Sequence, residues 1–149
     1  MTQAVTSRPS HAELIVTACR RVSDAMLAVE GTEPTPLSVV HLFESQAFIL
    51  APTDGDAMAA VHEADGLAAM LEITDCAPID LRERVRSLIW LNGTLFPVPA
   101  GLERDLAVEI ATEHPDDGLL DVGPGHSLLR LQLNSAVIAT GSGAASVTA

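Results

Sequence analysis

At 149 residues and 48% hydrophobic side chains, the chain has the length of one domain and too much apolar content to be disordered throughout. Eight arginines and no lysine face 20 acidic residues, and the formal charge of −12 argues against a nucleic-acid backbone or an anionic membrane surface as main partner. Aromatics at 3%, with no tyrosine, argue against a base-stacking platform.

Residues 1–9 are polar and read as a disordered N-terminus, without the apolar segment of a signal peptide. No uninterrupted apolar run reaches membrane-spanning length, so a cytoplasmic protein is expected. Ser10 and Glu13 form a capping box. Leu14, Ala18, Val22, Ala25 and Val29 follow at helical spacing, which predicts a helix of about five turns ended by Gly31. The prolines of "GTEPTP" make residues 31–36 a linker. "LSVVHLFE" (37–44) and "QAFILAP" (46–52) read as two strands joined by a tight turn at Glu44–Gln46.

A short helix is expected over "DAMAAVHEA" (56–64), capped by Asp54 or Asp56 and closed by Gly66. "LAAMLEIT" (67–74) reads as a strand, although its Ala and Leu suit a helix equally. "VRSLIWLNGTLFPV" (85–98) is the longest strand candidate, with Asn92-Gly93 as either a bulge or a turn that splits it. "GLERDLAVEIATEHP" (101–115) reads as an amphipathic helix. Leu102, Leu106, Ile110 and Ala107 form its apolar face, with Glu103, Arg104 and Glu109 elsewhere. "DDGLLDVGPGHS" is a loop, "LLRLQLNSAVIAT" (128–140) the last strand, and residues 141–149 a flexible tail of small residues. Hairpin-style connections dominate and no βαβ repeat is present. The class is therefore α+β, a mostly antiparallel sheet or barrel with helices packed on it.

Arg82, Arg84 and Arg86 lie within five residues, just ahead of the single tryptophan, Trp90. If Arg84 and Arg86 begin the long strand, alternation puts them on one face with Leu88, Trp90, Asn92, Thr94 and Phe96. A guanidinium pair beside an aromatic suits an anion carried on a planar ring. Pairing with Glu72, Asp75, Asp80 or Glu83 at a solvated strand end is the simpler reading. Trp90 alone suits core or a dimer interface as well as a ligand.

The five histidines show no i,i+4 pair, and His62-Glu63 does not extend to HExxH, so no metal site is expected from local spacing. His41 lies in a strand and would suit a haem iron only if the barrel held one. "DVGPGHS" reads as a turn rather than an anion loop. Ser142 has neither a GxSxG context nor a His/Asp pair that would make it a nucleophile. Cys19 and Cys76 form no CxxC motif and are expected reduced and unpaired.

Three segments, "EITDCAPIDLRERVRSLIWLNGTLFPVP", "LERDLAVEIATEHPDDGLLDVG" and "LLRLQLNSAVIATGSGAASV", together about half the chain, carry a family resemblance. They resemble the pyridoxamine-phosphate-oxidase-like FMN-binding split barrels, in the branch linked to haem utilisation and tetrapyrroles. The resemblance covers the barrel domain of that branch, here residues 10–140. It implies a six-stranded antiparallel split β-barrel with flanking helices that forms a homodimer, with FMN at the dimer interface in flavin-binding relatives. FMN is the first candidate cofactor and haem the second. Arg84, Arg86, Trp90 and Arg130 are the candidate cofactor-binding residues. The expected role is a dimeric barrel that holds a small-molecule ligand with weak catalysis or none. An FMN-dependent oxidoreductase and a ligand-free protein-interaction scaffold are the alternatives.

Overall fold

The computed structural model describes residues 24–76, 85–140 and 143–148, together with Glu13 and Ile15, which are helical. Its strands are β1 (Asp24–Val29), β2 (Thr35–Leu37), β3 (Val40–Phe43), β4 (Gln46–Pro52), β5 (Leu67–Cys76), β6 (Val85–Pro97), β7 (His126–Thr140) and β8 (Gly143–Thr148). Two helices, α1 (Asp56–Glu63) and α2 (Ala100–Ala111), and a 3-10 turn at Asp117–Asp121 complete the described elements. The strand order is β2-β1-β5-β6-β7-β4-β3, with β8 also on β7, and every pairing is antiparallel. β2 comes back against β4, so the sheet curls on itself as a split barrel does.

Eight strands stand where the resemblance implied six and the residue patterns placed five, and the three additions to that pattern lie in segments read otherwise. Asp24–Val29 is β1 and not the end of the first helix. Ala25 and Val29 fit a helical stripe, but Ala25, Leu27 and Val29 also alternate, and all three are buried opposite Ile73, Leu71 and Ala69 of β5. Pairing with a central strand outweighs the weak helix propensity of Ala, Met and Leu. Gly31, at φ +85°, turns the chain after this strand rather than capping a helix. The tail likewise supplies β8, which pairs along Ser135–Thr140 of β7. The third addition, β2, takes the end of the proline linker. Ser10 of the expected capping box, Cys19, and Arg82 and Arg84 of the arginine insert lie outside the described residues.

β7 organises the barrel. Its first half pairs with β4 and its second half with β8, while β6 runs along its other edge. The β6–β7 register slips at Asn92/Gly93, opposite Asn134, and Asn92-Gly93 continues the strand instead of splitting it. Inside the curl, Leu27, Ile49, Leu71, Ile73, Ile89, Leu91, Leu95, Leu129, Leu131 and Ile138 are fully buried, and Ala57, Met58 and Val61 of α1 close one end. A second core lies on the outer side of β4 and β7, where Leu50 and Leu128 meet Val98, Ala107, Ile110 and Leu119.

The buried face of α2 is Glu103, Ala107 and Ile110, at i, i+4, i+7 spacing. This corrects the face expected from composition, because Leu102 is 59% exposed whereas Glu103 is only 9% exposed. Desolvation holds the Glu103 carboxyl above its ordinary range, opposed by a hydrogen bond from the Leu128 amide. A raised folded-state pKa favours the neutral acid. The cost of ionising the buried group is therefore absent at low pH, accumulates as pH rises through the carboxylate range, and remains above it. Urea unfolding of Glu103→Gln and wild type should show the balance shifting toward Gln between pH 4 and pH 7 (~three units across the carboxylate range). A difference independent of pH would contradict this assignment.

Candidate functional site

Antiparallel register places one residue from each of four strands in a row across the outer sheet face: His41, Phe48, Arg130 and Phe96. Directly opposed residues share a face, so the row follows from the pairing alone. Arg130 is half-buried, its guanidinium carbon 4.7 Å from the Phe96 ring centroid, and its Nη1 donates to Gln132 Oε1 at 3.0 Å. Among the described residues no carboxylate lies within ion-pair distance of it. In a chain with 20 acids, this cation is held by an aromatic face and an amide instead.

Helix α2 lies over the same face. Leu102, Asp105, Leu106 and Glu109 form one stripe of it, and with Phe48, Val98, Pro99 and Arg130 they line a groove of about 370 Å³. A pocket of this size sits at the lower end of those that take small ligands. Its apolar walls suit a planar ring, and Arg130 supplies a fork for one anionic substituent. Asp105 and Glu109 on the helix side oppose a second negative charge.

The sequence-derived site residues do not converge in one protomer. Trp90 and Arg130 are both on the outer face, but Trp90 pairs with Val137 whereas Arg130 pairs with Phe96, six residues further along β6. That separation is about 20 Å at strand rise. Trp90 Nε1 donates to Glu72 Oε2 at 3.1 Å, so this acid is engaged by the indole. Arg86 lies in β6 where the register with β5 slips, opposite Asp75/Cys76, and its side chain is outside the described residues, as is all of Arg84. The "DVGPGHS" segment is a turn. Its Gly123 and Gly125 amides donate to the His126 and Asp121 carbonyls at 2.7 and 3.2 Å.

Sequence reading did not find Phe48 and Phe96 as neighbours of Arg130. They are 48 residues apart, and only the order β4-β7-β6 brings them to either side of it.

No family profile and no curated protein matches the chain. Solved structures do. The heme binding protein from Mycobacterium smegmatis is 15% identical at a TM-score of 0.69, over 96% of this chain and 60% of that one. The FAD and heme binding protein from the same organism is 14% identical at a TM-score of 0.62, over 95% and 83%. The general stress FMN/FAD binding protein from Xanthomonas citri is 16% identical at 0.56, over 85% and 86%. These likenesses establish the fold, and the chain is an antiparallel split barrel. No helix among the described residues is long and apolar enough to cross a membrane.

Proposed function

We propose that the chain is a ligand-binding split barrel that holds a planar anionic cofactor, a flavin first and a haem second, in the groove between α2 and the outer sheet face. The observation that carries this is Arg130, half-buried on the floor of an apolar groove, beside an aromatic ring and without a carboxylate partner among the described residues. The similar structures named for FMN, FAD and heme binding support the ligand class. Phe48, Leu102 and Leu106 would line the ring, and Arg130 would take a phosphate or propionate oxygen. Arg86 is ten residues from Phe96 along β6, so Arg84 and Arg86 enter the reading only as cations brought to the ligand by a second copy of the chain. Such a cofactor supplies electron-transfer or oxygen chemistry, and the role assigned to this chain is to bind it.

The reading includes a homodimer. The outer face of the central strands carries half-buried Met70, Leu88, Trp90, Val137 and Ala139. Covering such a row with a second copy removes apolar area from water, and a closed two-fold pair needs only one patch.

The experiment is a loading titration on the whole chain with FMN, FAD and haemin, followed by absorbance, with sedimentation equilibrium on the same samples. Saturable flavin bands or a Soret band, on a dimer, are expected. Absence of binding by all three ligands would overturn the cofactor reading, and a monomer at micromolar concentration would overturn the dimer.

A further inference from the structure

The end of the cross-strand row opposite Phe96 carries a second cluster. His41 of β3 is only 8% exposed, and its Nδ1 is buried without a hydrogen bond. Glu113 and His114 reach it from the turn that follows α2. One ligand-type atom from each of the three residues lies within 4.8 Å of the other two. From the geometry of this trio we propose a site for a divalent transition-metal cation of the zinc class, held by His41, Glu113 and His114. It stands apart from the groove reading.

Three distances fit that chemistry. His41 Nδ1 and Glu113 Oε2 are 3.3 Å apart, yet they form no hydrogen bond. Two donors side by side but not aimed at each other have the relation of two ligands to a shared ion. With metal–ligand bonds near 2.05 Å, the edge of a coordination tetrahedron is ~3.3 Å. The His41 and His114 rings are edge-to-face at 85° with centroids 5.4 Å apart. Two imidazoles on one tetrahedral ion place their centroids roughly 5 Å apart. The 4.8 Å outer spread requires only that the Glu113 and His114 side chains draw in, and Glu113, whose side chain is 44% exposed, has room to turn.

The donor set selects the cation. Two imidazoles and one carboxylate suit zinc and its first-row neighbours, whereas calcium and magnesium favour oxygen-only sites. Three protein ligands leave one tetrahedral position for water. The anchor is rigid, because β3 is paired with β4 and His41 faces Phe48 in register. The helix end is fixed as well, since the His114 amide donates to the Ile110 carbonyl at 2.8 Å. The site is therefore largely assembled before an ion arrives.

The test uses chelator-treated whole chain and the variants Glu113→Gln and His114→Ala. Zn²⁺ binding is read by calorimetry and Co²⁺ binding by its visible d–d absorption, which is intense when the ion is four-coordinate. Wild type should take one equivalent, with an intense Co²⁺ spectrum. Each variant should bind at least ~10-fold more weakly, since even changes in residues that only support ligands cost that much. Metal-free melting should be unchanged in Glu113→Gln, whose side chain is exposed, so a loss there cannot be blamed on misfolding. Equal Zn²⁺ affinity in wild type and both variants, or no binding by wild type, would overturn the site. A weak octahedral-type Co²⁺ spectrum that survives both substitutions would also overturn it.

Discussion

Arg130→Ala should weaken flavin or haem loading by about 10- to 150-fold, or ~1.5–3 kcal/mol, the range of a hydrogen bond to a charged group. The loss is expected because no second described cation lines the groove, and without Arg130 the charged groups left on its lining are the carboxylates of Asp105 and Glu109 alone. Stability should move far less. Arg130 is half-buried, and what it forfeits is one amide hydrogen bond and a ring contact, together about 1 kcal/mol. Arg130→Lys separates charge from shape. A lysine retains the cation but not the planar fork, so partial loading is expected if the ligand oxygens are gripped bidentately. Trp90→Ala serves as the spatial control. Within one protomer Trp90 is too far along β6 to touch the same ligand, so its loss should leave loading intact while weakening any dimer. Full loading by Arg130→Ala would remove the groove from consideration. A loading defect in Trp90→Ala alone would move the site to the central sheet face.

Where local pattern coincided with tertiary demand, the sequence was readable. The hairpin at "LSVVHLFESQAFILAP" formed where two β-branched and aromatic runs meet at Glu44, whose φ of +55° serves the tight turn. Helix α1 and the long strands β6 and β7 fell where periodicity and turn residues agreed. Elsewhere the same residues satisfied two periods. Ala25 and Val29 fit helix and strand alike, and the vacancy beside β5 decided between them. In α2 composition favoured Leu102 for the core, but the short reach from Pro97 to the helix rotates Glu103 inward, where the Leu128 amide receives it.

The candidate sites were less legible than the fold for the same reason, since each depends on contacts between distant segments. Arg130 was one cation among eight until the strand order put an aromatic on each side of it. His41 and His114 are 73 residues apart, so no ligand-spacing rule connects them. The arginine insert drew attention because it is dense in sequence. Arg86, its one member within a described strand, falls where the β5–β6 register slips, so plain alternation does not decide its face.

Gly93→Ala should destabilise the protein by about 3 kcal/mol or more, the upper range for an added methyl that packing cannot absorb. A Cβ at this position would overlap the Gln132 carbonyl, with the Gln132 carbonyl carbon at 2.8 Å and Leu133 Cα at 3.1 Å. All three obstacles are backbone, so no rotamer change relieves them. β6 and β7 would have to separate, and they form the long central pairing that carries Ile89, Leu91, Leu95, Leu129, Leu131 and Ile138. The bulge opposite is the cause of the crowding, because Asn134 is the extra residue on β7 and its neighbours swing toward Gly93. The glycine in "NG" is thus set by the approach of another strand rather than by a turn. Gly101→Ala provides the comparison. Gly101 lies in the first turn of α2 with nothing within 4 Å of a built Cβ, and alanine there should stabilise by about 0.5–1 kcal/mol through reduced chain entropy. Urea denaturation of the two variants should therefore displace the midpoint in opposite directions. If Gly93→Ala unfolds with the wild-type midpoint, the two strands are not in the close contact described, and the bulged β6–β7 register is wrong.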